Sequence, residues 1–320
     1  MQPLWRKIQQ QNFTDWKKLA ELIQLDLPLP PNKLKFPLNL PVRLAKKIRK
    51  ATPDDPILRQ FLPSFEENKK SPLFISDPVG DTNARKAPKL LHKYQGRALL
   101  VSTSACAMHC RYCFRQHFDY ETEDKSFSEE LEYIRQDSTL KEIILSGGDP
   151  LSLSDRQLKS LIDNLAQIPH LKRLRFHTRF PIGIPERIDA PFLELLKTCR
   201  LQTFFVVHSN HPNEWDEEIS AALKNIQKLG IPVLCQTILL KNVNDNADTL
   251  HAFFEFLVDQ GILPYYLHQL DRVEGASHFE VSEEEGKAFM QELSRRLSGY
   301  AVPRYVQEIA GESSKTPISF

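Results

Sequence analysis

The chain has 320 residues, 41% of them hydrophobic and 26% charged, and its 42 Lys and Arg nearly balance its 41 Asp and Glu for a formal net charge of +1. That balance excludes a global pull toward nucleic acid or an anionic membrane, and the length suits one large α/β domain with appendages. Five cysteines, three of them close together, fit a reducing compartment and not a disulfide framework.

The amino terminus, Met1-Gln-Pro-Leu-Trp-Arg-Lys-Ile8, lacks the apolar run of a secretory signal, and no segment is long enough to cross a bilayer. A cytoplasmic protein is expected. Trp5 to Gln24 carries Trp16, Leu19, Leu22 and Ile23 at helical intervals and predicts a helix. A proline-rich connector follows at Leu27-Pro-Leu-Pro-Pro-Asn32, then a basic helix over Leu44 to Lys50 whose Lys46, Lys47, Arg49 and Lys50 read as a solvated face. Pro53 to Leu62 and the loop around Ser71 to Asp77 lead toward the core, with no linker that would separate two large domains.

From residue 98 the pattern alternates. β-rich runs occur at Ala98 to Val101, Glu142 to Leu145, Arg173 to His177, Thr203 to His208, Val233 to Leu239 and Pro264 to Gln269. Helical stretches separate and follow them at Glu129 to Arg135, Asp155 to Gln167, Pro191 to Thr198, Asp216 to Leu229, Asp248 to Gln260 and Glu283 to Leu297. Six strand and helix units with right-handed crossovers imply a parallel sheet, with chemistry gathered at the carboxyl ends of its strands.

The first of those ends runs into Ser104-Ala-Cys-Ala-Met-His-Cys-Arg-Tyr-Cys-Phe-Arg115, which places thiols at Cys106, Cys110 and Cys113. Thiolates suit iron–sulfur clusters, zinc and copper(I), so a metal site is the leading reading. A cubane needs four ligands, and three local cysteines leave one iron open to a non-protein ligand. A structural zinc site with His109 or His117 as fourth ligand is the alternative, although such sites usually come as two separated ligand pairs. Cys199, closing a helix, and Cys235, within a strand, read as ordinary core thiols.

The second strand ends in Ser146-Gly-Gly-Asp149, where two glycines allow close backbone approach and Asp149 and the carbonyls can accept from an ammonium group. The third ends in His177-Thr-Arg179, the fourth in His208-Ser-Asn-His211, and the fifth carries Gln236. Any one of these is an ordinary turn; their recurrence along one rim argues for a pocket.

The spacing Cys-x3-Cys-x2-Cys resembles the loop of radical S-adenosylmethionine enzymes. With His92-Lys-Tyr-Gln-Gly-Arg97, Leu145-Ser-Gly-Gly-Asp-Pro150, His208-Ser-Asn-His-Pro-Asn-Glu214, Leu239-Leu-Lys-Asn-Val-Asn-Asp245 and Pro264-Tyr-Tyr-Leu-His-Gln-Leu-Asp271, the chain resembles the lysine 2,3-aminomutase family from about His92 onward. It ends where the catabolic aminomutases continue into a further segment and has its own N-terminal helices, as in the branch that makes β-lysine for modifying elongation factor P.

The resemblance implies a partial (β/α)6 barrel over 92–300, an N-terminal helical extension over 1–91, and a C-terminal segment over 301–320. It implies a [4Fe-4S] cluster on Cys106, Cys110 and Cys113, S-adenosylmethionine on the open iron, and pyridoxal phosphate on Lys315. Lys93, Tyr94 and Arg97 match positions near the cofactor phosphate, and Gly147, Gly148, Asp149, His211 and Gln236 are further cofactor contacts. Arg115 matches the residue that pairs with the substrate carboxylate, while Asp271 and Glu308 match the two acids that hold the lysine ε-ammonium. At Glu308 the family has aspartate, and the loop before Lys315 is Gly-Glu-Ser-Ser where the family is richer in glycine. The implied activity is conversion of L-lysine to β-lysine with an external reductant, functionally linked to elongation factor P and its lysine ligase, in a protein that could form homo-oligomers. A related aminomutase acting on glutamate or another amino acid, and a zinc-stabilised barrel without catalysis, are the other readings; two acids at the far end of the pocket favour a cationic substrate.

Overall fold

The computed structural model describes residues 2–26, 36–121 and 126–320. The proline-rich connector lies outside them. Four short helices open the chain: α1 (Leu4–Gln9), α2 (Trp16–Ile23), α3 (Val42–Lys47) and α4 (Pro56–Phe61). The single helix expected over Trp5 to Gln24 is two, and the break lets Phe13 pair with Leu40 as an isolated antiparallel bridge. The second begins where Asp15 accepts from the Lys17 N–H.

A single ten-stranded sheet follows, its strands in sequence order. They are β1 (Arg85–Ala87), β2 (Leu90–Tyr94), β3 (Arg97–Thr103), β4 (Glu142–Gly147), β5 (Arg173–Thr178), β6 (Gln202–His208), β7 (Val233–Ile238), β8 (Leu263–His268), β9 (Arg304–Gln307) and β10 (Thr316–Pro317). Between them run α5 (Ser128–Gln136), α6 (Asp155–Ala166), α7 (Phe180–Gly183), α8 (Ala190–Lys197), α9 (Glu217–Gln227), α10 (Ala247–Asp259) and α11 (Glu283–Arg296). Neighbours from β3 to β9 pair in parallel, while β1, β2 and β10 pair antiparallel at the edges.

The six expected strand and helix units are all present and build the partial (β/α)6 barrel. A seventh parallel strand, β9, went unread because four residues with polar ends carry little pattern. The sheet begins at Arg85, so a boundary after residue 91 falls inside β2, and 301–320 contributes two strands to the same sheet.

Local chemistry sets the helix starts. Ser154, Asp216, Asn246 and Ser282 each accept from the backbone N–H three residues on, satisfying a donor that the first turn cannot pair. Alternation along the strands sets what faces where. In β5, Leu174, Phe176 and Thr178 are buried, and Phe176 packs on Phe192 of α8 and Phe205 of β6. Arg175 and His177, with the opposite parity, are only half-buried and face the barrel interior. An interior lined this way is a lumen and not a packed core.

The N-terminal extension is joined to the barrel. Trp5 is 1% exposed and meets Phe180 edge-on at 5.5 Å. The basic face of α3 is only partly solvated: Arg43 pairs with Glu186 and Asp216, and Lys47 with Asp216 and the Glu214 carbonyl. No helix among the described residues is long and apolar enough to cross a membrane.

Candidate active site

The cysteine loop leaves β3 and is held from outside by the extension. Asn12 donates to the Ala107 carbonyl at 2.7 Å, and Gln9 and Asn39 to the Cys106 carbonyl at 3.3 and 3.4 Å. Arg111, 1% exposed, donates two hydrogen bonds to the Glu67 carboxylate and a third to the Phe36 carbonyl. Held this way, the loop gathers its thiols. Burial, then Asp149 and the other two thiols, lifts Cys106 well above the ordinary thiol range; burial and Cys110 lift Cys113 to about 11. All five cysteines are free.

No three His, Cys, Asp or Glu among the described residues are grouped to hold one metal ion, as zinc requires. His109 donates through Nδ1 to the Pro37 carbonyl and stacks on Phe36, and His117 donates through Nε2 to the Glu274 carbonyl. Three thiols on one loop with no histidine committed beside them are the donor set of an iron–sulfur cluster with one iron left to a non-protein ligand.

The end of β4 locks onto this loop. Gly148 N–H donates to the Thr103 carbonyl at 2.7 Å and Asp149 N–H to the Ala105 carbonyl at 2.8 Å. A Cβ at Gly148 would lie 2.4 Å from the Ala105 oxygen, and Gly147 sits at φ +116° with Thr103 O 2.8 Å from where its Cβ would be. Both positions therefore require glycine. Asp149 differs from the expectation. Its carboxylate accepts from Thr178 Oγ1 and from the N–H groups of Leu151, Arg179 and Phe180, so it braces the turn and offers no free acceptor. Burial still pushes it up to about 6 against those bonds.

The lumen carries a row of polar side chains set by register. His208 of β6 lies opposite Gln236 of β7, which lies opposite Tyr266 of β8. His177 stands one residue before the end of β5, and His268 ends β8. Burial first, and then Lys315 together with neighbouring cations and histidines, holds His177 and His268 well below the ordinary histidine range. They are neutral at pH 7. His177 Nε2 is buried and has no partner among the described residues. An unpaired inward nitrogen is rare in a finished core and fits a lumen that a ligand fills. His211 is not part of this row. It caps its own turn, Nδ1 accepting from the Asn213 N–H, and borders an outer cleft with Arg49, Arg59 and Asn242. His208 is the member of that motif that faces inward.

At the mouth, one charge cluster joins residues far apart in the chain. Lys315 Nζ lies 2.6 Å from Glu308 Oε2, and Glu308 Oε1 accepts from the Tyr94 hydroxyl at 2.5 Å. Lys93 reaches Glu308 at 3.5 Å and Asp81 at 2.6 Å, while Arg115 donates to the other oxygen of Asp81 at 2.7 Å and to Ser146 Oγ at 3.4 Å. Arg97 lies over the Tyr94 ring at 4.5 Å. Burial alone would raise Glu308 and Asp81; Lys315 holds Glu308, and Arg115 and Lys93 hold Asp81, below the usual carboxylate range. Asp271 is the exception, raised to about 7 by burial and Glu308 despite Lys315.

The sequence-derived residues Lys93, Tyr94, Arg97, Arg115, Asp271, Glu308 and Lys315 thus share one mouth, with Gln236 on the lumen row and Cys106, Cys110 and Cys113 on the adjoining loop. Asp81 was missed. It lies before the barrel in an unpatterned loop, and only the fold reveals that it bridges Lys93 and Arg115. Lys315 and Arg115 thus set two cations beside the histidine-lined lumen, and Glu308 and Asp271 set two carboxyl groups near Lys315.

Comparison with known proteins identifies the family. The Radical SAM superfamily model matches residues 100–257. L-lysine 2,3-aminomutase of Escherichia coli (strain K12) is 43% identical over 313 residues, covering 95% of this chain and 91% of that protein. The enzyme of the same name from Haemophilus influenzae is 42% identical over 320 residues, covering 98% and 94%. That of Clostridium subterminale is 33% identical over 270 residues, and the match spans 65% of its length. Among solved structures, Streptococcus suis SuiB bound to S-adenosylmethionine superposes with a TM-score of 0.51 at 12% identity, covering 68% of this chain and 51% of SuiB, a likeness of fold alone.

Proposed function

Because the chain belongs to the L-lysine 2,3-aminomutase family of radical S-adenosylmethionine enzymes, we propose that it is an isomerase that moves the 2-amino group of L-lysine to carbon 3, with pyridoxal phosphate as an additional cofactor. When bound, the cluster and S-adenosylmethionine supply a deoxyadenosyl radical, and pyridoxal phosphate supplies the π-system that lets an amino nitrogen migrate.

The chain's own residues divide the remaining work. Cys106, Cys110 and Cys113 are the soft ligands of the cluster, and Gly147, Gly148 and Gln236 line the S-adenosylmethionine side, with Asp149 holding the glycine turn in place. Lys315 is the pyridoxal phosphate lysine, and Lys93, Tyr94 and Arg97 face the phosphate. Arg115 pairs with the substrate carboxylate through its planar fork. Asp271 and Glu308 receive the ε-ammonium, and the neutral His177, His208 and His268 line the space without adding charge that would repel it.

One observation carries this reading: Lys315 Nζ stands in the barrel mouth, 2.6 Å from Glu308 and within 5.9 Å of the Tyr266 ring centre. Loading the protein with pyridoxal phosphate, trapping with borohydride and mapping the peptides tests it. The tag is expected on Lys315; a tag on another lysine, or none, contradicts the assignment. The likeness to the elongation factor P branch supports the further reading that the product serves that modification. Deleting the protein from its host is then expected to leave elongation factor P without β-lysine.

A further inference from the structure

Arg179 stands just beyond β5 and plays no part in the mouth cluster. Its guanidinium is buried, 6% exposed, against the cysteine loop. Nη1 donates to Cys110 Sγ at 2.9 Å and also to the Tyr112 hydroxyl, while Nη2 donates to Glu214 Oε2 and Gln60 Oε1, each at 2.8 Å. Glu214 is fully buried, and its Oε1 accepts from the N–H groups of Asn210 and His211 and from Gln60 Nε2. The pair is therefore a fixed dipole, its positive end on one thiol and its negative end turned away. Asn210 locks the frame by donating to Gln60 Oε1 at 3.0 Å and to the Tyr112 hydroxyl at 2.6 Å.

A buried ion pair is weak evidence of added stability, since an apolar replacement of like volume is often as good. Its placement on a single cysteine calls for a different account. The reduction potential of an iron–sulfur cluster depends on its net charge, its solvent exposure and the hydrogen bonds to its sulfurs. Adding one electron adds one negative charge, and a cation that donates N–H to a ligand sulfur stabilises that charge.

We propose that Arg179, held in place by Glu214, is a positioning residue that sets the potential of the cluster through Cys110, raising it, and that Glu214 limits the rise. The electron itself comes from an external reductant, and the hydrogen bonds of the Arg179 side chain go to Cys110, Tyr112, Gln60 and Glu214. This role rests on the reading of the cysteine loop as a cluster site.

The test is a redox titration of the anaerobically reconstituted full-length protein, followed by electron paramagnetic resonance, with iron and sulfide counted for each variant. Arg179→Gln is expected to disfavour reduction at least tenfold, which is 59 mV for a one-electron couple. Glu214→Gln is expected to move the midpoint the other way, because it leaves the cation unopposed. Arg179→Lys keeps the charge and is expected to recover most of the wild-type value. Opposite shifts from two partners in one ion pair are a signature that a purely structural brace does not give. Midpoints that stay put, or move in the same direction, with the cluster intact overturn the proposal. If Arg179→Gln does not retain iron, Glu214→Gln decides alone, and no upward shift there overturns it. A wild-type protein that holds no iron–sulfur cluster instead overturns the underlying reading of the loop.

Discussion

Glu308 and Lys315 face each other across the short hairpin of β9 and β10, with 2.6 Å between carboxylate and ammonium. Thr316 pairs with Gln307 in that hairpin, so positions 315 and 308 are the next opposed pair outward. Antiparallel register therefore sets the lysine against its acid. It also carries both to the mouth, because β9 pairs in parallel with β8, whose end leads to Asp271.

Replacing that lysine separates cofactor attachment from cluster assembly. Lys315→Ala is expected to abolish β-lysine formation while leaving iron and sulfide content at the wild-type level. Product analysis by mass spectrometry and metal analysis on the same preparation check both halves.

Asp271 predicts a pH dependence. Burial lifts its carboxyl to about 7, so it gains its charge only as pH rises through neutrality. Apparent affinity for lysine is expected to improve from pH 6 to pH 8, and Asp271→Asn to raise KM and flatten that dependence. Stability moves in the opposite sense. An unfolded aspartate titrates near 3.9, so between about pH 4 and 7 the folded state is increasingly penalised by a charge it disfavours. Asp271→Asn is expected to gain Tm relative to wild type as pH rises through that window, measured by thermal melts at pH 5 and pH 8.

The loop clamp is a stability device. Arg111 is buried on Glu67, and removing one partner of such a pair leaves an uncompensated charge at a cost of about 3–5 kcal/mol. Glu67→Ala is expected to lower the denaturation midpoint accordingly and to speed iron loss on exposure to a chelator. A stable variant with normal iron retention contradicts the clamp.

Gly148 makes a sharper geometric test. An alanine methyl would fall 2.4 Å from the Ala105 carbonyl oxygen, a backbone atom that cannot swing aside. Gly148→Ala is expected to keep its helical circular dichroism but to reconstitute poorly with iron, whereas Gly230→Ala has nothing within 4 Å to strike and meets only its left-handed φ of +76°. Iron content after reconstitution distinguishes them.

Much of this was legible in the residues. The six barrel strands and their helices were marked by β-branched runs alternating with helical periodicity, and the three thiols by their spacing. The mouth residues were found through likeness to a family, since Lys315 near a terminus and Lys93 in a basic run carry no local signal. What escaped depended on long-range pairing. Asp81 matters only because the fold brings it between Lys93 and Arg115. His211 and His208 look alike in sequence, and only the position at the end of β6 turns His208 inward and leaves His211 to cap a turn. Asp149 looked like a ligand acceptor because the four donors that consume it arrive from residues 151 and 178–180.

The most direct test of the central claim is anaerobic turnover of free L-lysine by the reconstituted protein with S-adenosylmethionine, pyridoxal phosphate and a strong reductant, with the products resolved by mass spectrometry. β-Lysine is expected, dependent on all three additions and absent from the Lys315→Ala variant. Unchanged lysine from a preparation that carries a full iron–sulfur cluster and bound pyridoxal phosphate, or equal turnover by the variant, would contradict it.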